Sequence, residues 1–420
     1  MTYSEIVIAE IQKGNLDVVE ENLELAINYD DEDTLFLLGN TLYQLGFLIE
    51  TRKVYTYLLE KNPADDELKI YLAEIDIEDG NELEALDLLH SIDETSPIYP
   101  QSLLVQADYY QLNGLPEVSI QKLSEAEQLL PEEPIIMFAL AEIFYTTADY
   151  QRAIHYYEKL TLQGQDEVAG TLLSERLGNA YMLIGKYSDA IDYFDEALSF
   201  RENPEIYYQL GLVYVQQTEW TKAIEPLEKA KTLDPSLSGA YFVLSEVYEQ
   251  QNNYEKALEE INEGISQNEL NVDFYFKAAE LSTKLNDEAN AQKYYEEAIG
   301  IAPDSDRAYL KYADYLNYMG SFEEAIDLLN HAGETTKQVP EALWILATAH
   351  NNMENYDKAR DYFADALQYL SEDLDFLKEY AFFLREDGQT EKMREIVNKY
   401  VMLNNETDFE MMGLLEEDYF

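Results

Sequence analysis

A 34-residue period runs through almost the whole of this chain and limits what it can fold into. Gly14, Gly46, Gly80 and Gly114 mark it at intervals of 32, 34 and 34 residues. Gly185, Gly320 and Gly388 keep the same count once a three-residue insertion after position 160 is allowed for. Ala148, Thr218, Asn252, Asn286 and Glu354 hold the glycine position in between. Self-similarity at one fixed period of this length is the signature of a stacked array of helical hairpins. Such an array is built without an enclosed pocket, so function has to come from a surface.

The segment 204–237 shows the unit. Tyr207, Leu210, Gly211 and Tyr214 recur at three- and four-residue spacing, one face of a helix. A polar break, Gln217-Thr218-Glu219, follows; then Trp220, Ala223, Ile224, Leu227, Ala230 and Leu233 trace a second apolar face, which Pro235 ends. Two helices and a turn cannot bury both stripes alone, so each hairpin must stack on its neighbours. Small residues show where helices touch. Position 8 of the period holds Gly39, Ala73, Ala107, Ala141, Gly178, Gly211, Ser245, Ala279, Ala313, Ala347 and Ala381. Position 20 holds Ala85, Ala153, Ala190, Ala223, Ala257, Ala291, Ala325 and Ala359. Bulky Tyr55, Tyr157, Phe194, Tyr295 and Phe363 fill position 24.

These residues resemble the tetratricopeptide repeat (TPR) pattern of an apolar residue, Leu-Gly, Tyr, Ala, an aromatic, Ala and Pro. Tyr207, Leu210, Gly211, Tyr214, Ala223, Ala230 and Pro235 meet it, and so do Leu177, Gly178, Tyr181, Gly185, Tyr187, Ala190, Phe194 and Ala197. About twelve repeats begin near residues 1, 32, 66, 100, 134, 171, 204, 238, 272, 306, 340 and 374. Departures are Leu58 and Ile92 where alanine is usual, and Gln165, Glu202, Lys337 and Ser371 where proline is. The resemblance implies an all-α fold, an α-solenoid of helix-turn-helix repeats forming a right-handed superhelix. It also implies that the first helix of each hairpin lines a concave groove. Expected divisions are an N-terminal array over 1–165, a C-terminal array over 166–403, and an acidic capping helix or tail over 404–420. The insertion, Leu160 to Thr171 with Gly164 and Gly170, suggests a bent or mobile joint. In the last stretch Thr407 or Asp408 is placed to cap a helix carrying Phe409, Met412, Leu415 and Tyr419 on one side. That helix would cover the apolar end of the stack, or dock elsewhere.

Composition narrows the function. No cysteine among 420 residues excludes disulfides, thiolate metal sites and thiol chemistry. Residues 1–14 carry Glu5 and Glu10 and lack the cationic start and apolar core of a signal peptide. The most apolar run, Pro134 to Tyr145, contains Glu142 and is too short to span a membrane. The expectation is a soluble cytoplasmic protein. Net charge is −57, spread evenly: 33 acids against 8 bases over 1–165, and 52 against 20 over 166–420. Such a field repels nucleic acid and anionic lipid and attracts basic proteins or peptides. It also keeps a chain soluble and monomeric.

Two columns of the implied groove vary coherently. Position 9 carries Glu74, Asp108, Glu142, Glu246, Glu280 and Asp314, with Asn40 and Asn179 in two further repeats. Position 5 carries Phe36, Phe138, Tyr208, Phe242, Phe276 and Trp344. A carboxylate row beside aromatic faces suits an extended peptide bearing Lys or Arg among apolar side chains. The alternatives are rings packed between successive first helices and plain solvated acids. Some relatives of this class clamp a C-terminal carboxylate with Lys, Asn and Arg. Here Lys277, Arg307 and Lys311 are the nearest match, but Phe242 and Glu246 stand where a lysine and an asparagine are needed. A local salt-bridge cluster with Asp273, Glu280 and Asp314 is the better reading of those bases.

Chemistry finds little footing. His90, His155, His331 and His350 sit at unrelated repeat positions, none paired at metal-ligand spacing. The acidic run Asp76 to Glu82 lacks the alternating ligands and terminal glutamate of a calcium loop and falls on an inter-helix turn. There is no glycine-rich phosphate loop and no Gly-x-Ser-x-Gly elbow. The sequence therefore reads as a non-catalytic scaffold or adaptor, without cofactor or metal, whose groove holds a basic or aromatic-rich segment of a protein partner. The alternative is a peptide-responsive regulator of another protein: the chain is similar to bacterial peptide-pheromone sensors in its repeats but lacks their N-terminal helix-turn-helix. The overall pattern resembles repeat-only proteins of low-GC Gram-positive bacteria.

Overall fold

The computed structural model describes residues 2–404 and 408–416. Among them the chain runs as helix after helix in antiparallel pairs, from Tyr3–Lys13 to Phe409–Glu416, broken by one two-stranded ribbon. It is an all-α TPR solenoid. Contacts divide it into two compact units, residues 1–213 and 214–420.

The glycine position is where each pair turns. Gly46, Gly80, Gly114, Gly185, Gly320 and Gly388 all have φ between 70° and 79°, and Ala148, Thr218, Asn252, Asn286 and Glu354 sit at φ between 57° and 62°. Each closes its first helix with a left-handed residue, and the next N–H reaches back five residues. Phe47 donates to the Leu42 carbonyl at 2.9 Å, Glu219 to Tyr214 at 2.9 Å, and Asn355 to His350 at 2.8 Å. The backbone demand is constant along the chain, and glycine meets it without strain. Thr218, branched at Cβ, adopts the same geometry against its preference. The second helices then start on a side-chain cap in several repeats, with Asp149 accepting from Arg152 N–H and Asp287 from Asn290 N–H.

The packing columns are as read. Every alanine named above at positions 8 and 20 is at most 1 % exposed, and Tyr55, Tyr157, Phe194 and Phe363 at position 24 are fully buried. Positions 8 and 24 complete each other. A Cβ on Gly178 would lie 2.6 Å from Phe194 Cδ1, and one on Gly39 would run into the Tyr55 ring.

The insertion is not a bent loop. Glu167–Val168 and Thr171–Leu172 pair antiparallel, with Val168 opposite Thr171. Ala169 and Gly170 turn between them at φ 49° and 79°, the two positive angles of a tight primed hairpin turn. Val168 and Leu172 are buried, which fastens the ribbon to the first unit.

At the other end, Asp408 caps helix Phe409–Glu416 by accepting from the N–H groups of Glu410 and Met411 at 3.0 and 3.1 Å. The buried face differs from the expected one. Met411 and Leu414 are buried against helix Thr390–Leu403, Leu415 is half-buried, and Phe409 and Met412 face outward at 83 % and 43 % exposed. The periodicity was legible, but eight residues do not fix the helix's rotation; docking does. Thr407 and Tyr419 lie outside the described residues.

Candidate functional site

In the first unit, helices Asp66–Glu78, Tyr99–Leu112 and Pro134–Thr146 bring Glu74, Asp108, Phe138 and Glu142 to one cleft of about 360 Å³. Leu104, Ile135 and Ala169 of the ribbon complete its wall. Burial pushes the Glu74 carboxyl above its ordinary value against the pull of the Tyr43 hydroxyl, which donates to it at 3.0 Å; the charges of Asp108 and Glu78 add to the rise. Asp108 is open to solvent, yet the protein mass curved around it raises its carboxyl too. Glu142 is different. Arg176 Nε and Nη2 donate to its two oxygens at 2.9 and 3.0 Å, and the Tyr157 hydroxyl donates as well. Phe138 is only 8 % exposed, so it offers an edge, not a face.

The other first-unit candidates stay outside this cleft. Asn40 accepts from the buried Tyr55 hydroxyl at 2.6 Å, and Phe36 lies 6.3 Å from the same ring. Asn179 and Tyr208 are half-buried, and burial raises the Tyr208 hydroxyl.

The second unit gathers its candidates into two clefts. Phe242 and Glu246 line one of about 720 Å³ together with Glu249, Tyr254, Lys277 and Lys284. Phe242 stacks on Phe274 at 4.4 Å, while Glu246 is exposed. Glu280, Asp314 and Trp344 line the other, of about 910 Å³. Asp314 is exposed, and its carboxyl is raised by the surrounding protein against the charge of Lys311. Phe276 reaches neither cleft: it is 3 % exposed, beneath Arg307 at 5.0 Å and Lys311 at 5.5 Å. Packing there overrides the periodicity that placed it on the groove. The bases form ion pairs with groove acids: Arg307 with Asp273 at 2.7 Å, Lys311 with Glu280 at 3.1 Å, Lys284 with Glu249 at 2.6 Å, and Lys277 also with Glu249.

A pattern not read from the sequence emerges. In several repeats a position-9 side chain meets position 6 of the next, although Lys277, at position 6 after Glu246, pairs with Glu249 instead. Glu142 meets Arg176, Glu280 meets Lys311, and Thr348 donates to Glu379 at 2.6 Å. Glu74 and Asp108 are followed at position 6 by Val105 and Ala139, which share their cleft, and Asp314 by Ile345. These three acids have no ion-pair partner among the described residues. Glu379 was also missed. It accepts from Trp344 Nε1 at 2.7 Å, and burial raises its carboxyl. Position 6 was the signal that would have found both Arg176 and Glu379.

The acidic run at 76–82 is structural: Arg52 pairs with Asp76 and, at 2.5 Å, with Asp79. His350 is buried and stacked 5.6 Å from Tyr362. Among the described residues no helix is long and apolar enough to cross a membrane, and no group of three or more His, Asp or Glu is placed to hold a metal ion.

Hairpins stacked at a 34-residue period, meeting at small-residue columns and turning on a left-handed residue, define a tetratricopeptide repeat protein. The chain belongs to the YpiA-like family of these proteins. Residues 111–165 match "YpiA-like, tetratricopeptide repeats" and 340–406 match "YpiA-like, C-terminal tetratricopeptide repeats"; 272–305 match a single tetratricopeptide repeat. It is 32% identical over 391 residues to the TPR repeat-containing protein YpiA of Bacillus subtilis (strain 168), spanning 93% of this chain and 92% of that one. It is 25% identical over 228 residues to TPR repeat-containing protein MJ1428 of Methanocaldococcus jannaschii, spanning 51% of this chain and 38% of that protein. Among solved structures it is similar to yeast Tom70, with 15% identity, 99% of this chain and 94% of that chain covered and a TM-score of 0.44. It is also similar to YrrB, described as a TPR protein with an unusual peptide-binding site, with 24% identity, 44% and 95% covered and a TM-score of 0.36. Proteins of this class are in general interaction scaffolds without catalytic activity.

Proposed function

We propose that this chain is a non-catalytic scaffold that holds a basic, aromatic-containing segment of a partner protein against acidic clefts of its first-helix surface. The observation that carries this is the first-unit cleft. Glu74 and Asp108 stand in one concavity with Phe138, with raised carboxyls, close enough for Asp108 to raise Glu74, and without a cation among the described residues. Negative charge held in that way is relieved by a Lys or Arg from outside, and a charge-assisted hydrogen bond there is stronger than one in open water. Asp314 extends the same character in the second unit, and Glu246 adds an exposed carboxylate without an ion-pair partner among the described residues. A working division near residue 165, a cap at 404–420, a cytoplasmic setting and a monomeric state belong to the same proposal; a net charge of −57 opposes self-association.

The test is affinity capture with crosslinking in parallel from wild type and a Glu74→Gln/Asp108→Asn/Glu246→Gln chain. Glu142 is left intact because Arg176 depends on it. Wild type should retain a basic protein and release it as salt rises from 50 to 500 mM, since exposed charge pairs are screened within about 8 Å at physiological ionic strength. The triple variant should retain at least tenfold less. Undiminished capture by the variant would overturn the acidic-groove reading. A short basic peptide that by itself raises thermal stability, with no protein retained, would favour a peptide-responsive regulator instead.

A further inference from the structure

The larger second-unit cleft has a chemistry that a generally acidic surface does not explain. Its wall is aromatic and apolar, formed by Leu310, Tyr315, Tyr318, Trp344 and Ile345, with Tyr318 78 % exposed at the rim. Its two lysines are engaged, Lys284 with Glu249 and Lys311 with Glu280. Apart from the Tyr295 and Tyr318 hydroxyls, what remains on the wall is chiefly acceptors. Asp314 has no ion-pair partner among the described residues. Glu379 takes one neutral donor on each oxygen, Trp344 Nε1 at 2.7 Å and Thr348 Oγ1 at 2.6 Å, and each oxygen can accept more. Asn317 donates through Nδ2 to the Ile345 carbonyl at 2.9 Å, and its Oδ1 is buried with no hydrogen-bond partner.

We propose that this cleft is a side-chain pocket for one arginine of the bound segment, with the guanidinium between Asp314 and Glu379 and its flat face against Trp344. Acceptors and rings select a group that brings only donors and a plane. The guanidinium has five N–H donors, no acceptor and a planar face, whereas an ammonium has donors but no plane. Asp314 and Glu379 are also close enough for the first to raise the second, so one cation between them relieves both. A cleft of about 910 Å³ exceeds one side chain and leaves room for a flanking residue of the same segment. This inference rests on the reading that the groove engages a basic segment and adds which cation it selects and where.

The chain has two tryptophans, Trp220 and Trp344, so Trp220→Phe leaves Trp344 as sole reporter in the full-length protein. The probe is the capped pentapeptide Ala-Phe-Arg-Phe-Ala, with versions carrying lysine or the uncharged isostere citrulline in place of arginine. The arginine peptide should shift Trp344 emission and bind at least tenfold tighter than the citrulline peptide, with lysine between. Asp314→Asn/Glu379→Gln should abolish that preference with an unchanged circular dichroism spectrum, because the Gln oxygen can still accept from Trp344 while its amide N–H donates to the Thr348 hydroxyl. Equal binding of arginine and citrulline peptides, or no response at Trp344, would overturn the pocket. Titrating the same peptides into Glu74→Gln/Asp108→Asn separates the two proposals. A pocket that discriminates normally beside undiminished partner capture condemns only the acidic groove. Salt-sensitive capture without arginine preference condemns only the pocket.

Discussion

The two units use the same repeat and treat its groove charges differently. In residues 1–213, Glu74 and Asp108 have no cation among the described residues, and one arginine, Arg176, takes Glu142. In residues 214–420, Lys277, Lys284, Arg307 and Lys311 enter the groove and hold Glu249, Asp273 and Glu280, while Asp314 and Glu379 have no base among the described residues. An acid at position 9 is therefore not in itself a binding group. Its availability follows position 6 one repeat later at five of these acids, where Val105, Ala139 and Ile345 leave it free and Arg176 and Lys311 occupy it; after Glu246, Lys277 turns to Glu249 instead. The packing columns show no such difference between units. Position 24 is buried in both, whether tyrosine or phenylalanine.

The largest effects should fall on what the units share. Phe194→Ala and Phe363→Ala each remove a fully buried ring and should cost about 3–5 kcal/mol in urea unfolding. A large loss in one unit alone would break the equivalence of the columns. Next comes the contrast within the first-unit cleft. Glu142→Ala strips Arg176 and Tyr157 of their acceptor and should cost about 2 kcal/mol, while Asp108→Ala removes a strained charge and should cost less than about 0.5 kcal/mol. Equal losses would show that availability is not what separates these two acids. Smaller still, Thr218→Gly and Ala148→Gly, one in each unit, should raise stability by about 0.5–1 kcal/mol, as relief of the left-handed residue outweighs the added freedom of the unfolded chain.

The smallest effect is in pH, and its two parts have opposite signs. Glu74, Asp108, Asp314 and Glu379 have raised carboxyls, so the folded chain takes protons more readily than the unfolded one. Their contribution to stability is present below the ordinary carboxylate range and is lost as pH rises through the raised values. Melting temperature should thus rise on mild acidification from neutral pH, less so in Asp108→Asn. Asp408 behaves oppositely. Lys378, the Met411 N–H and the Tyr400 hydroxyl hold it near 2, down from 3.8, so its contribution is present above 3.8 and fades toward pH 2. Asp408→Asn should speed hydrogen exchange across 409–416 at neutral pH without touching the first unit. Unchanged exchange would mean that Met411 and Leu414 alone hold the terminal helix.

Most of the fold was legible because it is local and repeated. Period, turn position and small columns express constraints that recur in every hairpin, and Gly178 against Phe194 shows the close approach they encode. The candidate site was legible only as columns. Glu74, Asp108, Phe138 and Glu142 do share a cleft, but Phe276 was assigned to the groove by periodicity and lies in the core. Helix Phe409–Glu416 buries a face one residue removed from the one its pattern suggested, since at eight residues neighbouring faces are nearly equivalent until one is docked.

The sequence by itself determined the repeat, the left-handed turn at its fifteenth position, the residues that pack and the sign of the surface. Each follows from contacts within one hairpin or from composition. Only the tertiary structure decided which carboxylates are spent internally and which are free. Glu142 and Arg176 are 34 residues apart, Glu280 and Lys311 are 31, and they meet only because stacking brings one first helix beside the next in a fixed register. An ion pair needs that register to within an ångström or so, and a hydrophobic stripe does not.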